Sequence, residues 1–277
     1  MSAPFQRRTI GRPVSIQGIG IHTGSEAEVT CAPGPAGAGI VFRRVDLEGA
    51  PPIPGRLGSV TDTRRGVTLG RGAAVVRTVE HLLAAAAGLG ITSLRVDLRG
   101  EELPALDGSA APYCDLLAGA GLVEQEGEVA PLRPAAPVWV AGGEASVLAV
   151  GAGALRVTYV VPLHHPVLGA ALAADVAFSD GVFVREIAGA RTWGFAAELE
   201  ALQARGLAAG ASEANALGLG PDGYLSPPRM PDEPARHKIL DLLGDLALLG
   251  RPVAAHVIAV GAGHRLHLEL ARTLARG

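Results

Sequence analysis

Apolar and polar residues alternate in short stretches through the first part of the chain, as in EAEVTCAP (26–33) and GIVFRRVDL (39–47). Alternation of this kind, bounded by glycine and proline, is typical of β-strands. A helix is predicted from Val79 to Ala87, where the sequence GLG ends it, and the strand pattern TSLRVDLRG follows. A second helix is predicted from about Ala111 to Leu117, after the turn ALDGSAAP.

The second half of the chain repeats this plan. Strands are predicted in 138–150 and 154–163, followed by a helix from about Gly181 to Ala190. A longer helix, 235–249, ends in Leu-Gly as the earlier one does and also leads into a strand, AAHVIAV (254–260). Strands, then a helix, then a strand therefore occur twice, which indicates a weak internal duplication.

Two segments interrupt the duplicated pattern. The polar, proline-rich stretch 124–137 is predicted to be a linker, and 191–230 is an insert that contains a helix in AAELEALQARGL (196–207). We therefore expect an α+β fold of two similar lobes, residues 1–124 and 138–277, each with a β-sheet packed against helices. The functional site is expected in the cleft between the lobes.

The helix 235–249 carries an unusual polar stripe. His237, Asp241 and Asp245 recur at four-residue intervals, so they lie above one another on one face of the helix. The residues between them are apolar: Ile239, Leu240, Leu242, Leu243 and Leu246. Polar groups within such a helix indicate a functional site and not a solvated surface.

The spacing of His237 and Asp241 suits a metal ion. Zinc hydrolases use three protein ligands and leave one position to water, and His with Asp one turn later can supply two of them. His81 is the most suggestive third ligand, because it too lies on an apolar helix and follows Glu80, a potential general base. A single His-x-x-x-Asp pair is nevertheless more often a surface hydrogen bond or ion pair.

The other histidines have different interpretations. His264 stands just before the last helix, LHLELARTLARG, where the helix dipole disfavours a charged ring; a contact with Asp245 would outweigh this and favour the cation. His267, one turn into that helix, is interpreted as a surface residue. His22 is interpreted as a turn-stabilising side chain in a glycine-rich segment that lacks the flanking elements of a dinucleotide loop. A further pair, His164 and His165, points to opposite faces of a strand, so both are unsuited as ligands.

Composition narrows the class of protein. With 48% hydrophobic residues, 18% charged residues and a formal net charge of −3, the chain is typical of a soluble globular protein and not of one that binds nucleic acid. No apolar run approaches the roughly 20 residues of a transmembrane span, and MSAPFQRRTIGRP lacks the apolar core of a secretory signal, so a cytoplasmic location is expected. Cys31 and Cys114 are predicted to be buried free thiols.

Five segments together resemble a known family. TVEHLLAAAAGLGI, LPALDGSAAPY, RTWGF and RHKILDLLGDL, followed by GAGH, are similar to the signature blocks of UDP-3-O-acyl-N-acetylglucosamine deacetylase, the zinc amidase of the committed step of lipid A synthesis. The blocks occur in the family's order from about Thr9 through the last helix. Five ordered blocks are far stronger evidence than any single motif.

The resemblance implies a role for each site residue. His81, His237 and Asp241 take the places of the family's metal ligands, and Glu80 takes that of the general base. The remaining roles follow in the same way: His264, with Asp245 behind it, is the positively charged imidazole that assists the transition state; Thr192 hydrogen-bonds the oxyanion; and Lys238 lies near the sugar and diphosphate. The cofactor implied is Zn²⁺, although these ligands also accept Fe²⁺.

The resemblance also implies a substrate, a UDP-linked acylated glucosamine whose acyl chain occupies an apolar passage formed by the insert 191–230. Three departures from the family bear on this passage and on substrate affinity. Trp193 replaces the usual Phe and should narrow the passage, GASEAN (210–215) replaces a Gly-Gly-Ser-Leu sequence, and Arg64 and Arg65 stand where the family is normally apolar. We expect a monomer.

Two alternatives stay open at this point. The chain could be a metal-dependent amidase of another N-acetyl sugar on the same scaffold. It could also be a binding protein that keeps the fold without turnover, although a pure binder has no use for a base beside a metal.

Overall fold

Strands dominate the architecture of this computed structural model, which describes residues 5–277. The strands of the first part of the chain are β1 (Phe5–Ile10), β2 (Val14–Ile19), β3 (Glu26–Pro33), β4 (Ile40–Arg44), β5 (Ile53–Pro54), β6 (Val60–Asp62), β7 (Thr68–Arg71), β8 (Ala74–Val76), β9 (Leu94–Arg99) and β10 (Leu122–Val129). The later strands are β11 (Val138–Gly142), β12 (Ala145–Gly151), β13 (Arg156–His165), β14 (Gly169–Ala177), β15 (Trp193–Phe195), β16 (Leu217–Gly220), β17 (Gly223–Tyr224) and β18 (Ala255–Val260). The α-helices are α1 (Glu80–Gly88), α2 (Ala111–Gly119), α3 (Leu199–Gln203), α4 (Glu233–Ala247) and α5 (His264–Leu274).

Two five-stranded sheets share one topology. Their strand orders are β2-β3-β9-β4-β5 and β11-β12-β18-β13-β14. In each sheet the third and fourth strands in this order are parallel, as in the register of Ile40 with Leu94 and of Val157 with Val257, and all other neighbours are antiparallel. The internal duplication is therefore visible in the sheets, and the α+β fold class is confirmed.

Helices α1 and α4 pack against each other and bring the two repeats together. Residues Glu80 to Ala86 of α1 are all buried, and Ala84, Ala85 and Ala86 among them have only methyl side chains. Gly244 of α4 lies directly against the backbone of Glu80, so closely that a Cβ atom at Gly244 would be 2.8 Å from the Glu80 Cα. The absence of a side chain at Gly244 therefore sets the distance between the helices that carry the candidate site.

Three smaller sheets complete the structure: β1-β10, β6-β7-β8 and β15-β16-β17, the last of which lies in the insert 191–230. The linker prediction is wrong for residues 124–129, which belong to β10 and pair with β1 from Ile10↔Leu122 to Phe5↔Val129. The polarity of this segment is explained by its position in a two-stranded ribbon, where most of its side chains are exposed.

The predicted helices differ from the structure in three places. The segment from Gly181 to Ala190 forms only a π-helical turn, Phe183–Ile187, in which the N–H of Ala188 donates to the carbonyl oxygen of Phe183 at 2.8 Å. In the insert, a 3₁₀ turn, Ala196–Glu198, precedes the short α3. The last helix begins at His264, so this residue lies inside α5 and not before it.

Two expectations on the class of protein can be compared with the structure. Within residues 5–277, no helix combines the length and the apolar character that crossing a bilayer would need. Residues 1–4, which begin the segment interpreted as lacking a secretory signal, lie outside the described range. Cys31 and Cys114 are free and buried, as predicted.

Candidate active site

His81, His237 and Asp241 converge on one point between α1 and α4. The Nε2 atoms of His237 and His81 lie 3.4 Å and 3.9 Å from the Oδ1 atom of Asp241. The two imidazole rings are perpendicular, with centroids 5.1 Å apart. One potential ligand atom from each residue lies within 4.8 Å of the others, and all three residues are buried.

These three residues fit a divalent metal ion. Donors bound at about 2.1 Å in a tetrahedral arrangement lie about 3.4 Å apart, close to the observed separations. The Nδ1 atom of His237 is 3.1 Å from the carbonyl oxygen of Ala190; if Nδ1 carries the proton and donates it, Nε2 presents its lone pair to the cluster. Burial lowers the pKa of His81 to about 3, helped by His237, so the His81 ring is neutral as a ligand must be.

Asp241 supplies the negative charge of the cluster. Burial by itself would raise the pKa of Asp241, but Lys238, His237 and His264 outweigh it and hold this pKa well below its ordinary value. The Nζ atom of Lys238 donates to Oδ2 of Asp241 at 2.6 Å, which leaves Oδ1 directed at the imidazoles. Lys238 thus contacts the cluster while it also lines the cavity described below.

Glu80 stands beside the cluster at the first position of α1. Its Oε2 atom accepts a hydrogen bond from the backbone N–H of Val67 at 3.0 Å, and its Oε1 atom lies 3.7 Å from Nε2 of His264. Burial raises the pKa of Glu80 to about 7, opposed by the charge of His264 and helped by those of Asp241 and Asp245. A carboxyl group with a pKa near neutrality is suited to accept and release a proton.

His264 lies between two carboxylates. Its Nδ1 atom is 2.8 Å from Oδ2 of Asp245, and its Nε2 atom faces Glu80. Burial would lower the pKa of His264, but Asp245 and Glu80 together raise it to about 10. The contact on which the expectation of a charged ring depended is therefore present, and it outweighs the helix dipole at the start of α5.

A cavity of about 660 Å³ opens onto this cluster, and both predicted residues of the RTWGF segment line it. Thr192 is held in place by its backbone N–H, which donates to the carbonyl oxygen of Gly108 at 2.7 Å. The indole N–H of Trp193 donates to the carbonyl oxygen of Pro234 at 3.2 Å, and this hydrogen bond fixes the ring against the start of α4. The part of the cavity formed by the insert is mainly apolar, with Trp193, Phe195, Leu199, Leu202, Leu217 and Leu225.

One histidine, His267, was misinterpreted from the sequence, and another, His22, has a location that the sequence did not reveal. His267 is not a surface residue: it is fully buried, and its Nδ1 atom lies 2.8 Å from the same Oδ2 atom of Asp245 that His264 contacts. A spacing of three residues from His264 on one helix was the signal for this contact. His22 does contact a turn, with Nε2 3.0 Å from the carbonyl oxygen of Arg65, but it also lines the cavity.

The departures from the family pattern have identifiable contacts. Arg65 forms an ion pair of 2.9 Å with Glu198 of the insert, and Arg64 pairs with Asp62 at 2.8 Å. Asn215 organises the segment 210–215, because its side chain accepts from the N–H of Ser212 and donates to the carbonyl oxygen of Gly210. None of these residues belongs to the metal cluster.

An α+β fold with two imidazoles and a carboxylate around one point, and another buried carboxylate beside them, is typical of metal-dependent hydrolases. The family model of LpxC, UDP-3-O-acyl N-acetylglycosamine deacetylase, matches residues 7–276. The chain belongs to this family of metal-dependent hydrolases, as its sequence resemblance indicated.

Curated relatives named UDP-3-O-acyl-N-acetylglucosamine deacetylase are similar over nearly the whole chain. The relative from Myxococcus xanthus is 43% identical over 272 residues, which cover 97% of this chain and 86% of the relative. The relative from Trichormus variabilis is 41% identical over 279 residues, covering 98% of both chains. A third, from Thermosynechococcus vestitus, is 42% identical over 275 residues, 98% of this chain and 94% of the relative.

Proposed function

We propose that this enzyme hydrolyses the acetamide of UDP-3-O-acyl-N-acetylglucosamine to the free amine and acetate, the committed step of lipid A biosynthesis. The observation that carries the proposal is the convergence of His81, His237 and Asp241 beside Glu80 and His264, on a cavity whose part formed by the insert is mainly apolar. The names of the curated relatives support the choice of substrate. We place the reaction in the cytoplasm and expect a monomer.

The metal ligands in this proposal are His81, His237 and Asp241. Zn²⁺ is the expected ion, with Fe²⁺ as an alternative; when bound, such an ion polarises a carbonyl group and lowers the pKa of water. Lys238 keeps Asp241 ionised and directs its Oδ1 atom toward the imidazoles through the hydrogen bond to Oδ2.

Glu80 acts as the general base. Its Oε2 atom is occupied by the N–H of Val67, so Oε1 is the atom that takes a proton from the attacking water. The same carboxyl group, or His264, can then deliver a proton to the nitrogen of the leaving amine. A pKa of about 7 for Glu80 suits both halves of this exchange.

The oxyanion that develops on the acetamide carbonyl is stabilised by His264 and Thr192. His264 carries its charge before the substrate arrives, because Asp245 and Glu80 both raise its pKa. A donor held in place in this way does not have to reorganise during the reaction, and its loss typically costs on the order of 10²–10³ in rate.

The rest of the cavity binds the substrate. We assign the acyl chain to the apolar part of the cavity formed by the insert 191–230, in which Trp193 and Phe195 stand edge to face with centroids 6.1 Å apart. We assign Lys238, which lines the same cavity, to the sugar and diphosphate of the substrate. The lobes that enclose the substrate correspond in this proposal to residues 1–124 and 138–277.

The test separates chemistry from metal binding with two variants. Glu80→Ala should retain metal stoichiometry and lose nearly all turnover, whereas His237→Ala should lose metal, measured by elemental analysis of the purified protein. Undiminished hydrolysis by Glu80→Ala would remove this residue from the mechanism. Zinc held as tightly by His237→Ala as by the wild type would refute the ligand assignment.

A panel of acetylated sugar nucleotides tests the substrate. We expect acetate release from UDP-3-O-acyl-N-acetylglucosamine to have a kcat/KM at least tenfold above that for UDP-N-acetylglucosamine. This result would support the assignment of the acyl chain to the apolar part of the cavity. Preference for another N-acetyl sugar would contradict the substrate assignment but not the amidase chemistry. Metal binding without turnover of any member would indicate a binding protein.

A further inference from the structure

Asp245 of α4 receives two imidazoles on a single oxygen atom. Both His264 and His267 place Nδ1 at 2.8 Å from Oδ2, and the Oδ1 atom is buried without a hydrogen-bond partner. The two histidines are three residues apart on α5, which puts them on the same face of that helix. A carboxylate with one partner could rotate and present either oxygen, whereas two convergent donors hold its plane in one orientation.

His267 is in turn held by Tyr159 of β13. Burial lowers the pKa of His267 and outweighs the opposing effect of Asp245, which favours the neutral ring. A neutral ring can face a carboxylate only if Nδ1 carries the proton, which leaves Nε2 as an acceptor. The hydroxyl group of Tyr159 lies 2.8 Å from this Nε2 atom and is itself fully buried.

The same hydroxyl group also contacts the chain just before α5. The oxygen of Tyr159 is 2.7 Å from the carbonyl oxygen of Ala262, two residues before His264, so the single hydroxyl proton is donated either to this carbonyl oxygen or to Nε2 of His267. Tyr159 therefore contacts both the backbone just before His264 and the His267 ring that holds Asp245. The rings of Tyr159 and His267 meet edge to face, with centroids 5.8 Å apart, so packing keeps the hydroxyl in this position.

We propose that Tyr159 and His267 are positioning residues of the deacetylation reaction, which hold Asp245 and the start of α5 so that Nε2 of His264 faces the reacting atoms. This inference rests on the proposed function of His264, and neither residue lines the cavity. The buried polar groups of Asp245, His264 and His267 cost stability compared with apolar side chains of similar volume, so a role in the reaction is the reason we give for their presence. Since neither residue lines the cavity, loss of either should affect catalysis more than substrate binding.

The experiment uses the zinc-loaded enzyme and removes one hydroxyl group. Tyr159→Phe should lower kcat about tenfold with KM unchanged within about twofold, the lower end of the range for groups that act through a neighbouring residue. His267→Leu should lower kcat further, and His267→Asn should recover part of the loss, because the asparagine amide can donate to Asp245 from nearly the position of Nδ1.

A double-mutant cycle with His264→Ala decides whether the effect passes through His264. In that background Tyr159→Phe should change the remaining kcat less than about twofold. A full tenfold loss in both backgrounds, or no loss in either, would overturn the proposal. Tyr113→Phe is the matched control: Tyr113 is equally buried and donates to the carbonyl oxygen of Pro104 at 2.7 Å, and its variant should keep kcat within about twofold.

A spectroscopic measurement is independent of turnover. The Nδ1 proton of His264, bonded to a buried carboxylate, should give a downfield NMR signal that shifts in Tyr159→Phe and not in Tyr113→Phe. If the wild type shows no deacetylase activity, the proposed function fails while this signal still tests the connection. An unshifted His264 signal in folded Tyr159→Phe would refute the positioning role.

Discussion

Replacing Gly244 by alanine should damage the site without touching any proposed catalytic side chain. Gly244 lies against the backbone of α1, and an added Cβ atom would overlap the carbonyl oxygen of Glu80 and lie 2.8 Å from both its Cα and its carbonyl carbon. Non-bonded carbon and oxygen atoms pack at well over 3 Å, so relief of the overlap with the carbonyl oxygen requires the helices to separate by about 1 Å. Glu80 and His81 move with α1, whereas His237 and Asp241 move with α4.

The expected effect is large for activity and moderate for stability. A misplacement approaching 1 Å can cost about 10²-fold in rate, and we expect a loss of this order in kcat/KM. Overpacking costs about 1–3 kcal/mol, partly offset by the gain of about 1 kcal/mol when alanine replaces glycine within a helix. The free energy of unfolding should therefore fall by up to about 2 kcal/mol.

The assay compares acetate release and denaturant unfolding for Gly244→Ala and for Gly119→Ala. Gly119 ends α2, and an added Cβ atom there would meet no heavy atom within 4 Å. Gly119→Ala should keep full activity and at least the wild-type stability. Wild-type activity and stability in Gly244→Ala would refute the conclusion that this glycine sets the distance between α1 and α4.

Other predictions concern stability and thiol reactivity. Glu233→Ala should lower the free energy of unfolding by about 3–5 kcal/mol, because it leaves Arg191 buried without its 2.8 Å partner, whereas Asp175→Ala, at an exposed ion pair, should cost at most about 1 kcal/mol in urea titrations. Burial raises the pKa values of Cys31 and Cys114 to about 12, so the folded protein should resist iodoacetamide at pH 8.5 and react once unfolded; rapid alkylation of the native protein would contradict this. Since both pKa values are raised by folding from 9.0, the thiols' contribution to stability should be complete below pH 9 and lost as the pH rises toward about 12, as followed by thermal unfolding.

Much of the secondary structure was predictable because it depends on local patterns. Alternating apolar residues identified the strands of both repeats, and α1, α2 and α4 begin and end within two residues of their predicted limits. The predictions failed where the partner of a segment lies far away in sequence. Residues 124–129 looked like a linker because their polarity is that of an exposed ribbon, and pairing with β1 could not be read from the segment itself.

The candidate site shows the same division. The stripe of His237, Asp241 and Asp245 follows from the helical repeat alone, whereas His81 was selected as the third ligand by its apolar helix and the adjacent Glu80, and the family resemblance then implied the same choice. His267 was taken for a surface residue because its contacts come from β13 and α4, and periodicity within α5 does not reveal them.

The sequence by itself determined which residues share a helix face, since that depends only on a repeat of 3.6 residues per turn. Only the tertiary structure decided which faces meet. The close packing of α1 on α4 at Gly244 brings His81 within 3.9 Å of Asp241 and places Glu80 beside His264. Those contacts arise from the burial of two sheets and their helices in one core, which joins residues that no local pattern connects.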